Sequence, residues 1–151
     1  MRQSEIGCYL LLCLWIALFA PSCGSLTSPD PGLEIIASIV HQSPGSVTFR
    51  VGVENKGMKT ESLHFTSGQF FDIVVMDPHL RSVWRWSFDL YFTQALWDLE
   101  LAPGESRAEE IVWDLKGNDK EPLLPGSYRT SFYITNAPRN YRLSTVVRLT
   151  I

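Results

Sequence analysis

Apolar and polar side chains alternate without a break through Ser46–Asn55. Val47, Phe49, Val51 and Val53 fall on one side and Thr48, Arg50 and Glu54 on the other. A period of two held over that length predicts a half-buried antiparallel strand. The same reading places strands at Leu33–Val40, around Leu63 and Phe65, and at Phe70–Met76 and Ser82–Ser87. Further strands are expected at Trp97–Leu101, Ser106–Trp113, Gly126–Thr135 and Tyr141–Ile151. Turn chemistry separates them: Ser43-Pro44-Gly45, Asn55-Lys56-Gly57, Ala102-Pro103-Gly104-Glu105 and Leu124-Pro125-Gly126-Ser127. After the first two dozen residues no helical apolar stripe lasts three turns. About eight or nine short strands, spaced about ten residues apart, point to an all-β sandwich or barrel.

In Phe70–Met76 the inward set is Phe71, Ile73 and Val75, with Asp72 on the opposite register. A slip of one residue would turn that carboxylate into the core, so the register is expected to be firmly set. The stretch Leu63–Gln94 concentrates the aromatics, and Trp84 and Trp86 share a strand face.

The N-terminus follows a different pattern. Arg2 precedes the apolar run Ile6–Phe19, which closes on Ala20-Pro21-Ser22-Cys23-Gly24-Ser25. This is the layout of a secretory signal, and it is short for a membrane span. The closing residues fit a lipoprotein-type cleavage before Cys23, which would then carry the acyl chains. The expected organisation is a signal at 1–22, a Pro- and Ser-punctuated tether at 23–32 and one folded domain at 33–151. Export to the cell envelope with membrane anchoring through Cys23 is the expected localisation, with plain secretion as the alternative. All three cysteines, Cys8, Cys13 and Cys23, lie in the targeting segment, so no disulfide is expected inside the domain.

The net charge is −3 and no Lys/Arg run exists, which argues against a nucleic-acid partner. His41, His64 and His79 are scattered, so neither a metal nor a cofactor is expected. There is no Gly-x-Ser-x-Gly elbow and no Gly-rich phosphate loop, and enzymatic activity is not expected. Asp72 has no second carboxylate beside it and suits backbone hydrogen bonding better than catalysis. Ser67-Gly68-Gln69 reads as a corner in which Gly relaxes φ and a side chain caps a neighbouring backbone group. Trp84 and Trp86 either belong to the core or form a flat sugar- or peptide-binding platform.

Several motifs, in order along the chain, resemble the BsuPI family of intracellular proteinase inhibitors. They are Phe65-x-Ser67-Gly68-Gln69-x-Phe71-Asp72, Trp84-x-x-Ser87, Phe92-x-Gln94-Ala95, Pro103-Gly104-Glu105, Trp113 and Pro125-Gly126-x-Tyr128. The resemblance implies an immunoglobulin-like antiparallel β-sandwich and inhibition of a subtilisin-like serine protease. The export signal departs from an intracellular family and excludes a cytoplasmic target. A protein partner, serine-protease inhibition and a monomeric state are therefore expected. The other reading is an adhesive envelope module binding glycan or an envelope protein. An inhibitor requires a rigid, extended, exposed loop. Asp77–Arg81, Phe88–Leu96 and Gly117–Leu124 are the candidates, and the second offers Leu90 and Tyr91 for a primary pocket, with Phe92 as anchor.

Overall fold

The alternating stretch Ser46–Asn55 is strand β2, and its four inward residues Val47, Phe49, Val51 and Val53 are wholly buried. The computed structural model describes residues 32–137 and 144–151. Strand β1 (Leu33–Ser43) runs three residues past its expected end. The two-residue turn Pro44-Gly45 lets pairing with β2 continue to Ser43 opposite Ser46. A bulge between Ile39 and His41 resets the alternation and leaves Val40 exposed. The other strands are β3 (Glu61–Phe65), β4 (Phe71–Met76), β5 (Ser82–Arg85), β6 (Trp97–Leu101), β7 (Ser106–Trp113), β8 (Ser127–Ile134) and β9 (Ser144–Thr150). No helix occurs among the described residues. The expected start of β9 at Tyr141 lies outside them.

Two antiparallel sheets face each other, one ordered β1-β2-β7 and the other β5-β4-β8-β9, with β3 and β6 as a separate ribbon. Assigning β1, β2 and β7 to A, B and E, and β5, β4, β8 and β9 to C′, C, F and G, gives immunoglobulin-like topology. Tyr128 strengthens the assignment. It follows the Pro125-Gly126 turn into β8, and its Oη donates to the Leu124 carbonyl at 2.7 Å, the tyrosine-corner bond of such sandwiches.

Between the sheets sits an aromatic core. Phe49 of β2 meets Phe132 of β8 edge to face at 5.6 Å, and Trp113 stacks on Phe49 at 6.0 Å. Trp84 stacks in turn on Trp113 at 4.9 Å. In antibody domains a disulfide joins strands B and F. Here ring packing joins them, and each aromatic pair adds about 0.5–1.5 kcal/mol beyond its buried area.

Buried polar groups close the ends of the strands. Asn55, fully buried, donates from Nδ2 to the carbonyls of Lys59 (2.7 Å) and Leu101 (2.8 Å) and accepts from Gly57 N–H (2.9 Å). It thus ties the end of β2 to β6 and to its own turn. Across from it, Ala102-Pro103-Gly104-Glu105 closes with Glu105 N–H on Ala102 O at 2.9 Å. Gly104 has φ +78°, the conformation a type II turn requires after Pro.

Candidate functional site

The three loops singled out in the sequence meet along strand β5: the first leads into it, the second leaves its other end, and the third lies against its edge. A hollow of about 620 Å³ lies among Asp77 and Arg81 of the first, Phe88 of the second, and Gly117, Asn118, Asp119 and Leu123 of the third. Each loop has its own internal brace.

Asp77 organises the first turn. Its carboxylate accepts from the backbone N–H groups of His79 and Arg81, both at 2.9 Å, and from Arg81 Nε at 2.8 Å. The backbone N–H and guanidinium of Arg81 hold the carboxyl below its ordinary range. The tight turn places Leu80 at φ 63° and leaves it exposed.

Asn118 braces the third loop against β5 by imitating a paired strand residue. Its N–H donates to Val83 O at 3.0 Å. Its amide oxygen accepts from Arg85 N–H at 2.7 Å and its Nδ2 donates to Arg85 O at 3.1 Å. The edge of β5 is thereby occupied.

The middle loop, 88–96, is anchored on both sides of its apex. Phe88 N–H and Leu90 N–H bond to the carbonyls of Arg85 and Ser87, each at 3.2 Å. Lys120 of the third loop pairs with Asp89 at 2.9 Å, and that carboxylate holds the ammonium above its ordinary range. Phe92 is half-buried with its ring 5.7 Å from Trp86. Beyond it, Thr93 O accepts from Gly68 N–H at 2.9 Å. Between these anchors Tyr91 is fully exposed (102%) and Leu90 is 45% exposed. A rigid frame thus carries an aromatic side chain into solvent.

The motif residues form the supports of this loop. Asp72 keeps the register expected of it, facing away from the core row of Phe71, Ile73 and Val75, yet it is buried all the same. Arg85 Nε donates to it at 2.7 Å, Ser87 Oγ at 3.0 Å and Ile73 N–H at 3.0 Å. Backbone hydrogen bonding is therefore only part of its role, because an ion pair covers it from the outer face. Ser67 accepts Trp97 Nε1 on its carbonyl at 2.7 Å, and Gln69 Nε2 donates to Phe71 O at 3.0 Å. Gly68 does not sit at positive φ. What distinguishes the position is space, since a Cβ there would stand 2.7 Å from Thr93 Oγ1 and force that side chain to shift.

Trp86 stacks on Phe71 at 4.2 Å in the same way that Trp84 stacks on Trp113. Both rings pack against the core, which leaves no flat indole platform for a sugar. Strand β5 ends at Arg85, so Trp86 and Ser87 belong to the turn leading into loop 88–96. Trp113 Nε1 bonds to Lys116 O at 2.8 Å, steadying the approach to the third loop. Gly126 exchanges backbone bonds with Ile151. Cys23 lies outside the described residues. No group of three His, Cys, Asp or Glu able to hold a metal occurs among the described residues. Sequence reasoning missed Asn118, Lys120, Asp89 and Arg85. Their partners are 31 to 33 residues away for the first three and 13 for Arg85, and no local pattern signals such pairs.

The fold is an immunoglobulin-like scaffold whose loop 88–96 is anchored on both sides of an exposed apex. The family described as intracellular proteinase inhibitor, BsuPI, matches residues 35–139, and the chain belongs to that family. It is thus a proteinase-inhibitor-type domain. No curated protein matches the chain. Among solved structures it is similar to the sporulation control protein Spo0M from Bacillus subtilis, at 12% identity and TM-score 0.46, over 79% of this chain and 49% of that one. It is also similar to parts of β-glucosidases from Kluyveromyces marxianus (16% identity, TM-score 0.43) and Listeria innocua (14%, 0.40). The chain covers 14% and 16% of those enzymes, which in turn cover 79% and 78% of it. Likenesses this remote carry no functional argument.

Proposed function

We propose that the protein is an exported serine-protease inhibitor that presents loop 88–96 to the cleft of a subtilisin-like enzyme. The observation that carries this reading is the fully exposed Tyr91 between anchors on both sides. A protease cleft binds its substrate extended, and a loop already held in place loses little entropy on entering it. Tyr91, with Leu90 beside it, offers the large apolar side chain that a subtilisin-like primary pocket accepts. A loop held by Gly68, Phe92 and Lys120 also resists the distortion that cleavage requires. The apolar run and Cys23 motif support delivery to the cell envelope by a lipid anchor, with 23–32 as tether.

The test is a stoichiometric titration of several serine proteases with the purified protein. The reading predicts that a subtilisin-type enzyme loses activity at about one equivalent, while the inhibitor remains uncut by mass. Full activity of every protease tested, or rapid cleavage within 88–96, would overturn it.

A further inference from the structure

On the outer face of the β5-β4-β8-β9 sheet, away from the aromatic core, two arginines stand opposite each other. Arg129 on β8 and Arg148 on β9 are direct cross-strand partners. Side chains so placed have their Cβ atoms about 5 Å apart, and like charges there repel. Both residues are exposed, and neither belongs to any ion pair among the described residues. They border a hollow of about 400 Å³ shared with Asp77, Leu80, Val146 and the β8 entry at Ser127 and Tyr128. Asp77 does not neutralise them, because its two oxygens are occupied by Arg81 and two backbone N–H groups. Tyr128 Oη is likewise engaged, on Leu124 O.

The apolar side chains at this hollow distinguish it from a plain anion site. Leu80 is 62% exposed, held outward by its left-handed backbone, and Val146 is 54% exposed. An inorganic anion would satisfy the guanidinium groups and leave both apolar surfaces in water. An extended chain that carries carboxylate and apolar side chains on one face, at every second position, would meet both kinds of group. Guanidinium also matches carboxylate in planar, two-point geometry. We propose that this hollow binds an acidic, extended segment of a protein partner, with carboxylates on Arg129 and Arg148 and an apolar side chain between Leu80 and Val146. Loop 77–81 separates this site from the three-loop hollow, and its occupation does not depend on protease inhibition.

The probe is a labelled, end-blocked peptide Glu-Ser-Leu-Ser-Glu, whose Glu and Leu side chains share one face when extended, compared with its Gln-Ser-Leu-Ser-Gln counterpart by fluorescence anisotropy on the full protein. The Glu peptide is expected to bind, and more weakly as ionic strength rises. The Gln peptide should bind at least about tenfold more weakly. Arg148→Ser and Arg129→Ser should each lose about tenfold in affinity while melting no lower than the wild type at low salt, because the repulsion is relieved. If either serine variant fails to fold, Arg148→Gln and Arg129→Gln serve the same comparison. Equal binding of the two peptides, unchanged affinity in the arginine variants, or no binding would overturn the proposal. So would binding of inorganic phosphate or of phosphatidylglycerol vesicles through these arginines without binding of the Glu peptide.

Discussion

Arg85 shows how much one residue at the β5 edge carries. Its side chain covers the buried Asp72 carboxylate, while its backbone N–H and C=O are both held by Asn118. A buried carboxylate deprived of a charged partner retains its desolvation cost. We therefore expect Arg85→Ala to lower unfolding free energy by about 2 kcal/mol, and Ser87→Ala by about 1 kcal/mol, in urea titrations. A neutral Arg85→Ala would mean that Asp72 is organised without it. Reading the chain identified Asp72 as hydrogen-bonded and placed it off the core row. Its burial was not legible, because the covering groups, Arg85 and Ser87, reach it from a neighbouring strand and the turn that follows. Alternation records which face a residue takes and is silent on what lies over that face.

At the scale of elements, local signals served well where the strand's own pattern decides its limits. Strands β2, β6 and β7 begin and end where alternation and turn residues place them. Boundaries moved where a partner decides, as in β1, which its hairpin with β2 prolongs, and β5, which stops once Trp86 turns in to stack on Phe71. The three candidate loops were each legible as loops. Their convergence was not, since it depends on contacts such as Lys120 to Asp89. The glycine at 68 illustrates the same limit: its place in Ser67-Gly68-Gln69 suggested a residue needing positive φ, whereas what distinguishes the position is its closeness to Thr93. Gly68→Ala is accordingly expected to push loop 88–96 away from its corner. Protection of Gly68 N–H or its alanine counterpart from hydrogen exchange should fall, and inhibition should weaken about tenfold or more, while global stability drops by no more than about 1–3 kcal/mol. Unchanged inhibition in a folded variant would show that the corner does not set the loop.

At the scale of the whole molecule, the described residues form an immunoglobulin-like sandwich in which Phe49, Phe132, Trp113 and Trp84 fasten one sheet to the other. That core explains why the aromatic motifs identify the family so well and mark the partner so poorly. Most of them, Trp84 and Trp86 included, pack against the core, and on the proposed function Leu90 and Tyr91 at the apex of loop 88–96 are the side chains left for the protease. The measurement that tests this account most directly is the inhibition constant of wild type and Tyr91→Ala against the same subtilisin-type protease, with intact mass followed alongside. Truncating a central anchor in a rigid interface costs at least about 2 kcal/mol, equivalent to about thirtyfold in affinity. The account predicts that loss with an unchanged melting temperature, since Tyr91 touches solvent alone. Equal inhibition by the two proteins would contradict it.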